Sequence, residues 1–343
     1  MARPSSTSNF DDRRLTRAVV LTVAITVVIE LALTLVPENV MIRTMRWMRA
    51  WVVKAPAATV QIHGDSVAQG ALFTDEIAAA LPESTRVFNA ALQGSGPEFT
   101  YFLLRRQIAS GQVPKAIVIA HSPHTFVTQR MGVLAGAFLG WSEMPEALLH
   151  SHHFFDTLYG MLCKLSFTLR HRDELADLVR GRRGELATWN NPIPTQQWLR
   201  TNMGLDEQKW AREGKPPLGP LHPVYREPFV VDKGERELLA RTLALAHSNG
   251  VTVFWVTLPE HEAVAAARDS IHFATAYYRF VDSLAARAEI RILRRDFEVL
   301  PASDFSDYTH LRLTAALRLS REVGEKLKDA EIFTAAPASA PRP

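Results

Sequence analysis

Hydrophobic residues are patterned differently in successive parts of this chain. From Ala18 to Val36, "AVVLTVAITVVIELALTLV" is apolar apart from Glu30 and a few threonines. As a helix these 19 residues span about 28 Å, close to the hydrocarbon thickness of a bilayer. The run is long for a signal-peptide core, and "PENV" follows it rather than a small-x-small cleavage site. It therefore predicts an uncleaved single-pass anchor over 18–36, preceded by a cytoplasmic tail over 1–17. The competing reading is a buried core helix, which the nearly terminal position and all-round apolarity disfavour. Glu30 is the odd residue, because a carboxyl in lipid is costly.

The juxtamembrane segment 37–57 has a different rhythm. In "MIRTMRWMRAWVV", Met41, Met45 and Met48 recur at helical spacing, with Arg43, Arg46 and Arg49 beside them. Two placements fit: a helix lying on the membrane surface with its basic face at the headgroups, or an amphipathic helix packed on the following domain. Orientation is also open. Arg13, Arg14 and Arg17 precede the span and favour an inside N-terminus, but Arg43, Arg46, Arg49 and Lys54 follow it.

From residue 58 short apolar runs alternate with amphipathic ones, which predicts an α/β domain over 58–328. "TVQIHGDS", "TRVFNAAL" and "KAIVIAHSP" read as strands. Helices are expected at "TDEIAAALP", with Thr74 as N-cap, and at "EFTYFLLRRQIAS", closed by Gly111. The spacing is that of βαβ units and implies a mostly parallel sheet covered on both faces, a three-layer arrangement. The rhythm breaks at 125–235, a stretch rich in Trp, His and Arg. It reads as a helical insertion, either a lid over the sheet or a peripheral subdomain. The pattern then resumes: a helix at "KGERELLARTLALAHSNG", a strand at "VTVFWVTLPEH", a helix at "FATAYYRFVDSLAARA", a strand at "EIRILRRD", and a loop entering a last helix at "DFSDYTHLRLTAALRLSREVGEKL". The tail, 329–343, is low-complexity and expected to be disordered.

Composition adds limits. The 343 residues carry a net charge of only +3, so bulk charge does not indicate a nucleic-acid partner. The single cysteine, Cys163, excludes an intramolecular disulfide and a cysteine-cluster metal site, and reads as a small buried apolar residue. His150, His152 and His153 lack an obvious carboxylate partner at ligand spacing and read as a packed or solvated helix face. Trp189, Trp198 and Trp210 could stack on sugar rings or fill a core.

In a doubly wound sheet, functional side chains converge at the carboxyl ends of the strands. Gly64-Asp65-Ser66 follows the first soluble strand, "QGSGP" (93–97) the second and "HSPH" (121–124) the third; Asp307 and His310 precede the last helix. All would meet at one sheet edge. A tight turn would use Gly, Asp and Ser equally well, so the later blocks carry the weight.

In these blocks the chain resembles the SGNH/GDSL hydrolase superfamily. The matching residues are Gly64-Asp65-Ser66 with Gly70, "NAALQGSGP" with Gly94, and Asp307-Tyr308-Thr309-His310. The resemblance covers about 58–125 and 235–328 and leaves out the insertion. With the anchor, it is similar to the bacterial cell-envelope branch that includes alginate-type O-acetyltransferases. The resemblance implies a flavodoxin-like three-layer sheet and an extracytoplasmic domain on the bacterial inner membrane. It implies Ser66 as nucleophile, His310 as general base and Asp307 as its orienting carboxylate, with the N–H groups of Ser66 and Gly94 as oxyanion donors. Asp304 competes with Asp307, but the family spacing favours Asp307. Implied partners are the lipid bilayer, an acylated glycan or acyl donor, and envelope acetylation proteins; no cofactor or metal is implied. The third block departs from the family: it has Pro123 near the position of an asparagine, and proline has no N–H to donate. Asn89, His121 and His124 are candidate substrate contacts. Two other readings are a catalytically weak glycan-binding scaffold and a cytoplasm-facing lipid esterase.

Overall fold

The structure, a computed structural model, describes residues 12–35, 40–54, 58–128, 132–150, 154–172, 175–176, 180 and 228–330. Trp189, Trp198, Trp210, His152, His153 and the tail from 331 lie outside the described residues.

Five strands form one parallel sheet: β1 (Val60–His63), β2 (Val87–Asn89), β3 (Ala116–Ile119), β4 (Thr252–Val256) and β6 (Arg291–Arg294), in the order β2-β1-β3-β4-β6. Strand order reverses between β1 and β3, the place where a doubly wound sheet opens a crevice. The sequence explains the layering. Val60, Ile62, Val118, Phe254 and Val256 point to one face, and Ile117, Ile119, Val253 and Trp255 to the other. Each buried side chain of this size contributes about 1.5–3 kcal/mol, so both faces demand cover.

One face is covered by α3 (Ser66–Ala71), α4 (Thr74–Ala79) and the last helix, α14 (Leu313–Asp329). The other takes α5 (Pro97–Ala109), α11 (Lys233–Ser248) and α13 (Phe273–Ala286). Thr74 is not the cap of α4. The short helix α3 runs to Ala71 and leaves only two connecting residues, so Phe73 becomes the cap, its N–H donated to Ser320 Oγ of α14 at 2.8 Å. The sequence reading did not foresee α3 as a separate helix, α12 (Glu262–Ser270), the 3-10 turn Ala302–Asp304, or the parallel pair β5 (Glu260–His261) and β7 (Val299–Leu300).

The N-terminal helix, α1 (Asp12–Leu33), starts inside the expected tail and carries the apolar run as far as Leu33. Its Arg14–Leu33 stretch is long and apolar enough to cross a membrane, with mean hydropathy 2.0. For the juxtamembrane segment the structure selects packing. In α2 (Val40–Trp51), Met45 and Met48 are fully buried with Ile42 and Val52 in a core shared with α5.

The described part of the insertion is helical: α6 (Thr125–Thr128), α7 (Gly132–Phe138), α8 (Met144–His150), α9 (Phe154–Leu165) and α10 (Phe167–Arg170). Helices α7 to α10 pack outside the helix layer, on α2, α5 and α11, while residues 181–227 of the expected insertion lie outside the described residues. Arg106 of α5 grips Glu143 with two nitrogens, Phe99 packs on Phe138 at 4.7 Å, and His150 pairs with Glu237 of α11 at 2.6 Å. Cys163 is buried in this subdomain and forms no disulfide.

Candidate active site

The turn after β1 is built from its three residues in order. Gly64 lies against the end of β3: a Cβ there would sit 2.7 Å from the Ala120 carbonyl oxygen and closer still to the Ala68 side chain. Asp65 caps α3, its Oδ1 accepting the N–H groups of Val67 (2.9 Å) and Ala68 (3.4 Å). Its Oδ2 accepts the Ser122 N–H at 3.0 Å. One buried carboxylate thus joins α3 to the loop after β3. Ser66 is the first residue of α3 and stays half-buried, its Oγ turned toward the loop before α14.

That loop is closed on itself. Phe305 and Leu311 pair as an antiparallel bridge, and Ser306 donates from N and Oγ to the His310 carbonyl. Inside it, Asp307 Oδ1 accepts the N–H groups of Thr309 and His310, each at 2.7 Å. Asp307 Oδ2 lies 2.7 Å from His310 Nδ1, and His310 Nε2 lies 3.1 Å from Ser66 Oγ. Residues separated by 244 positions in sequence form one continuous relay. Asp304 is excluded from it, because its carboxylate pairs with Arg318 at 2.9 Å.

The electrostatics follow from this contact. Burial opposes charge on His310, but the bond to Asp307, the charge of Asp307 and the more distant charge of Asp65 outweigh it and raise its pKa above the ordinary value. Burial likewise opposes ionisation of Asp307; the His310 bond, its charge and the two backbone donors prevail and hold it well below the carboxylate range.

The second block is tied to the first: Leu92 N–H and Ser95 Oγ both donate to the Gly64 carbonyl, each at 2.9 Å. Gly94 sits in the intervening turn with φ 70°. Asn89 does not face substrate. It is 1% exposed; its Nδ2 donates to the Ala68 (3.3 Å) and Leu72 (3.0 Å) carbonyls, and its Oδ1 accepts the Ala91 N–H at 2.9 Å. It fastens the end of α3 to β2. His121 is also withdrawn, 2% exposed with Nε2 2.8 Å from Thr100 Oγ1. Burial above all, and then the nearby His124, push its pKa down to about 4 despite the attraction of Asp65. Of the three candidate contacts, only His124 is partly exposed. In the third block the Ser122 N–H is held by Asp65, and Pro123 has none to offer.

Sequence reading missed a buried carboxyl pair beside this edge. Glu98, in the first turn of α5, is fully buried, and Glu235, in the first turn of α11, is nearly so. If both were ionised, the two carboxyls would meet with no side-chain donor between them; a proton on Glu235 supplies one. Burial is the main cause that pushes Glu98 up to about 7, aided by Asp232. Burial and the charge of Glu98 drive Glu235 well above its ordinary value. The only sequence signal was one acidic residue in each helical first turn, which is also the commonest solvated placement.

Among the described residues no group of His, Cys, Asp or Glu is arranged to hold a metal. The chain matches no protein-family model, and comparison with curated proteins finds no match.

Proposed function

We propose that this chain is a membrane-anchored serine esterase or O-acyltransferase of the SGNH/GDSL kind. Its substrates are acyl esters, acetyl above all, of cell-envelope or exopolysaccharide glycans, met on the extracytoplasmic side of a bacterial inner membrane. The observation that carries this reading is the relay Ser66–His310–Asp307, with contacts of 3.1 and 2.7 Å. Serine is a weak nucleophile unless a base takes its proton. His310 Nε2 is within reach to do so while Ser66 Oγ attacks the acyl carbonyl. The negative oxygen that forms is received by the N–H groups of Ser66 and Gly94. His310 returns the proton to the departing oxygen, leaving an acyl-Ser66 ester. Water or a glycan hydroxyl, deprotonated by His310, then attacks that ester and releases Ser66. Hydrolysis and transfer differ only in this acceptor.

One observation favours a slower, binding-dominated role as the second reading. The backbone of the third block has no N–H to spare at Ser122 and none at Pro123. Loss of one oxyanion donor typically costs about 100- to 1000-fold in rate. A scaffold that binds acylated glycans and turns over slowly fits that arrangement.

The deciding experiment is intact mass after exposure to a serine-directed fluorophosphonate, with Ser66→Ala as control. A single adduct on the parent and none on the variant is expected. A folded parent that takes no adduct would remove the esterase reading and leave the binding one.

A further inference from the structure

The outward face of α9 has the wrong chemistry for a water-facing helix. Phe155, Leu158, Leu162 and Leu165 follow one another at spacings of three and four residues, one stripe on the helix surface. Phe155 is 81% exposed, Leu165 68% and Leu162 43%, with Leu158 half-buried. The neighbouring Phe154 and the end of α8, Leu149, extend the patch, both well exposed. This stripe is not an inner face waiting to close, because the opposite side of α9 already packs. Thr157, Gly160 and Cys163 are buried there, and α7 comes so near that a Cβ on Gly136 would collide with the Gly160 carbonyl. A contiguous apolar patch of this kind marks a binding surface.

The position of the patch identifies its partner. The junction of α9 and α10 is fastened to the last turn of α1. Glu30 accepts Ser166 Oγ at 2.7 Å and the Phe167 N–H at 2.6 Å, and Leu33 is buried although most of the helix is bare. A carboxylate at the start of α10 is also a favourable helix-terminus contact. The apolar stripe therefore begins where the apolar helix ends, at the level of a membrane surface if α1 spans the bilayer. At the α7 side of α9, Lys164 donates to the Gly136 and Leu139 carbonyls, and its ammonium lies 5.3 Å over the exposed Trp141 ring. An apolar helix face with an exposed tryptophan near it is the composition of an interfacial element.

We propose that α9 is a second membrane-binding element, lying in the bilayer interface beside α1 with Phe155, Leu158, Leu162 and Leu165 among the acyl chains. The inference rests on α1 spanning the membrane and is independent of the esterase reading. Anchorage at two points fixes the tilt of the α/β domain over the lipid, which a single helix with a short linker would not.

The test uses the full chain with Cys163→Ala, carrying one new cysteine at a time: Phe155→Cys, Leu162→Cys, Leu165→Cys, Val23→Cys in α1, or Asp296→Cys on a remote exposed loop. Each is labelled with an environment-sensitive fluorophore and reconstituted in phosphatidylcholine–phosphatidylglycerol vesicles. Labels at 155, 162 and 165 are expected to lose emission to nitroxides on the acyl chains, as the label at 23 does, and to resist aqueous iodide. The label at 296 should behave oppositely. Iodide quenching at 155 and 162 equal to that at 296 would overturn the proposal. Protection from both quenchers would overturn it too, since it would mean that protein covers the stripe. A label at 23 unreached by acyl-chain nitroxides would remove the premise that α1 spans, whatever the fluorophosphonate result.

Discussion

Asp65 holds the Ser122 N–H at 3.0 Å with one carboxylate oxygen while the other caps α3. The residue before Ser66 is thus the bolt between the two strand ends that flank the crevice. Asp65→Ala should destabilise the fold by about 2–4 kcal/mol, from the lost cap and a buried N–H left without an acceptor. Urea unfolding measures it. Asp65→Asn, which keeps an oxygen for α3 but meets Ser122 with either a weaker acceptor or an amide, should fall between the two. An Asp65→Ala midpoint equal to the parent's would show that the carboxylate bears no load.

If the proposed esterase reading holds, the pH profile of ester cleavage should report His310. The imidazole acts as a base only when neutral, and its pKa is raised above the ordinary value of 6.5. Activity should therefore climb with pH through an apparent pKa above 6.5 and then level. Asp307→Asn removes the largest favourable contribution to the charged form, so the midpoint should move to lower pH while the plateau drops by about 10⁴. A midpoint unmoved by Asp307→Asn would mean that the observed titration belongs to another group.

Glu98 gives a stability prediction with a definite sign. Its folded pKa, about 7, lies above the 4.5 of an ordinary glutamate, so the folded state binds the proton more tightly than the unfolded chain. The contribution is present in full below about 4.5 and is lost as pH rises through 7. Glu98→Gln removes the ionisation and should raise stability at pH 8 relative to pH 5 by on the order of 1–3 kcal/mol compared with the parent. Thermal unfolding of both proteins at the two pH values checks it; parallel curves would refute it.

Gly64→Ala should disrupt both stability and chemistry. The added methyl meets the Ala120 carbonyl and the Ala68 side chain, and overpacking typically costs about 1–3 kcal/mol. Relief can come only by shifting β1 or α3, which carries Ser66 away from His310. Pairing it with Ala68→Gly should recover part of the stability and little of the fluorophosphonate labelling, because the backbone contact remains.

Asn89→Ala separates anchoring from substrate contact. The side chain spends its hydrogen bonds on Ala68, Leu72 and Ala91. The variant should lose about 2–4 kcal/mol of stability, since buried backbone groups are left unpaired, and the KM of the surviving folded fraction should stay unchanged. A raised KM with parental stability would restore the substrate-contact role.

Much of this molecule was legible in one dimension, for a physical reason. Strand and helix periods are local properties, so Val60–His63, Ala116–Ile119 and Thr252–Val256 announced a sheet buried on both faces, and the run to Leu33 announced its own apolarity. The order of the Gly64-Asp65-Ser66 and Asp307–His310 blocks, each at the end of an element, also placed them on one edge. Tertiary structure alone decided what depends on a partner from elsewhere in the chain. Asp304 and Asp307 differ because Arg318 reaches only the first. Met45 and Met48 face a core because α5 and α7 are there to receive them. Asn89 and His121 turn inward because backbone and Thr100 groups need partners. Glu98 and Glu235, unremarkable apart, become a proton-sharing pair only when α5 packs on α11, and the bare stripe of α9 is visible only once its other side has been filled.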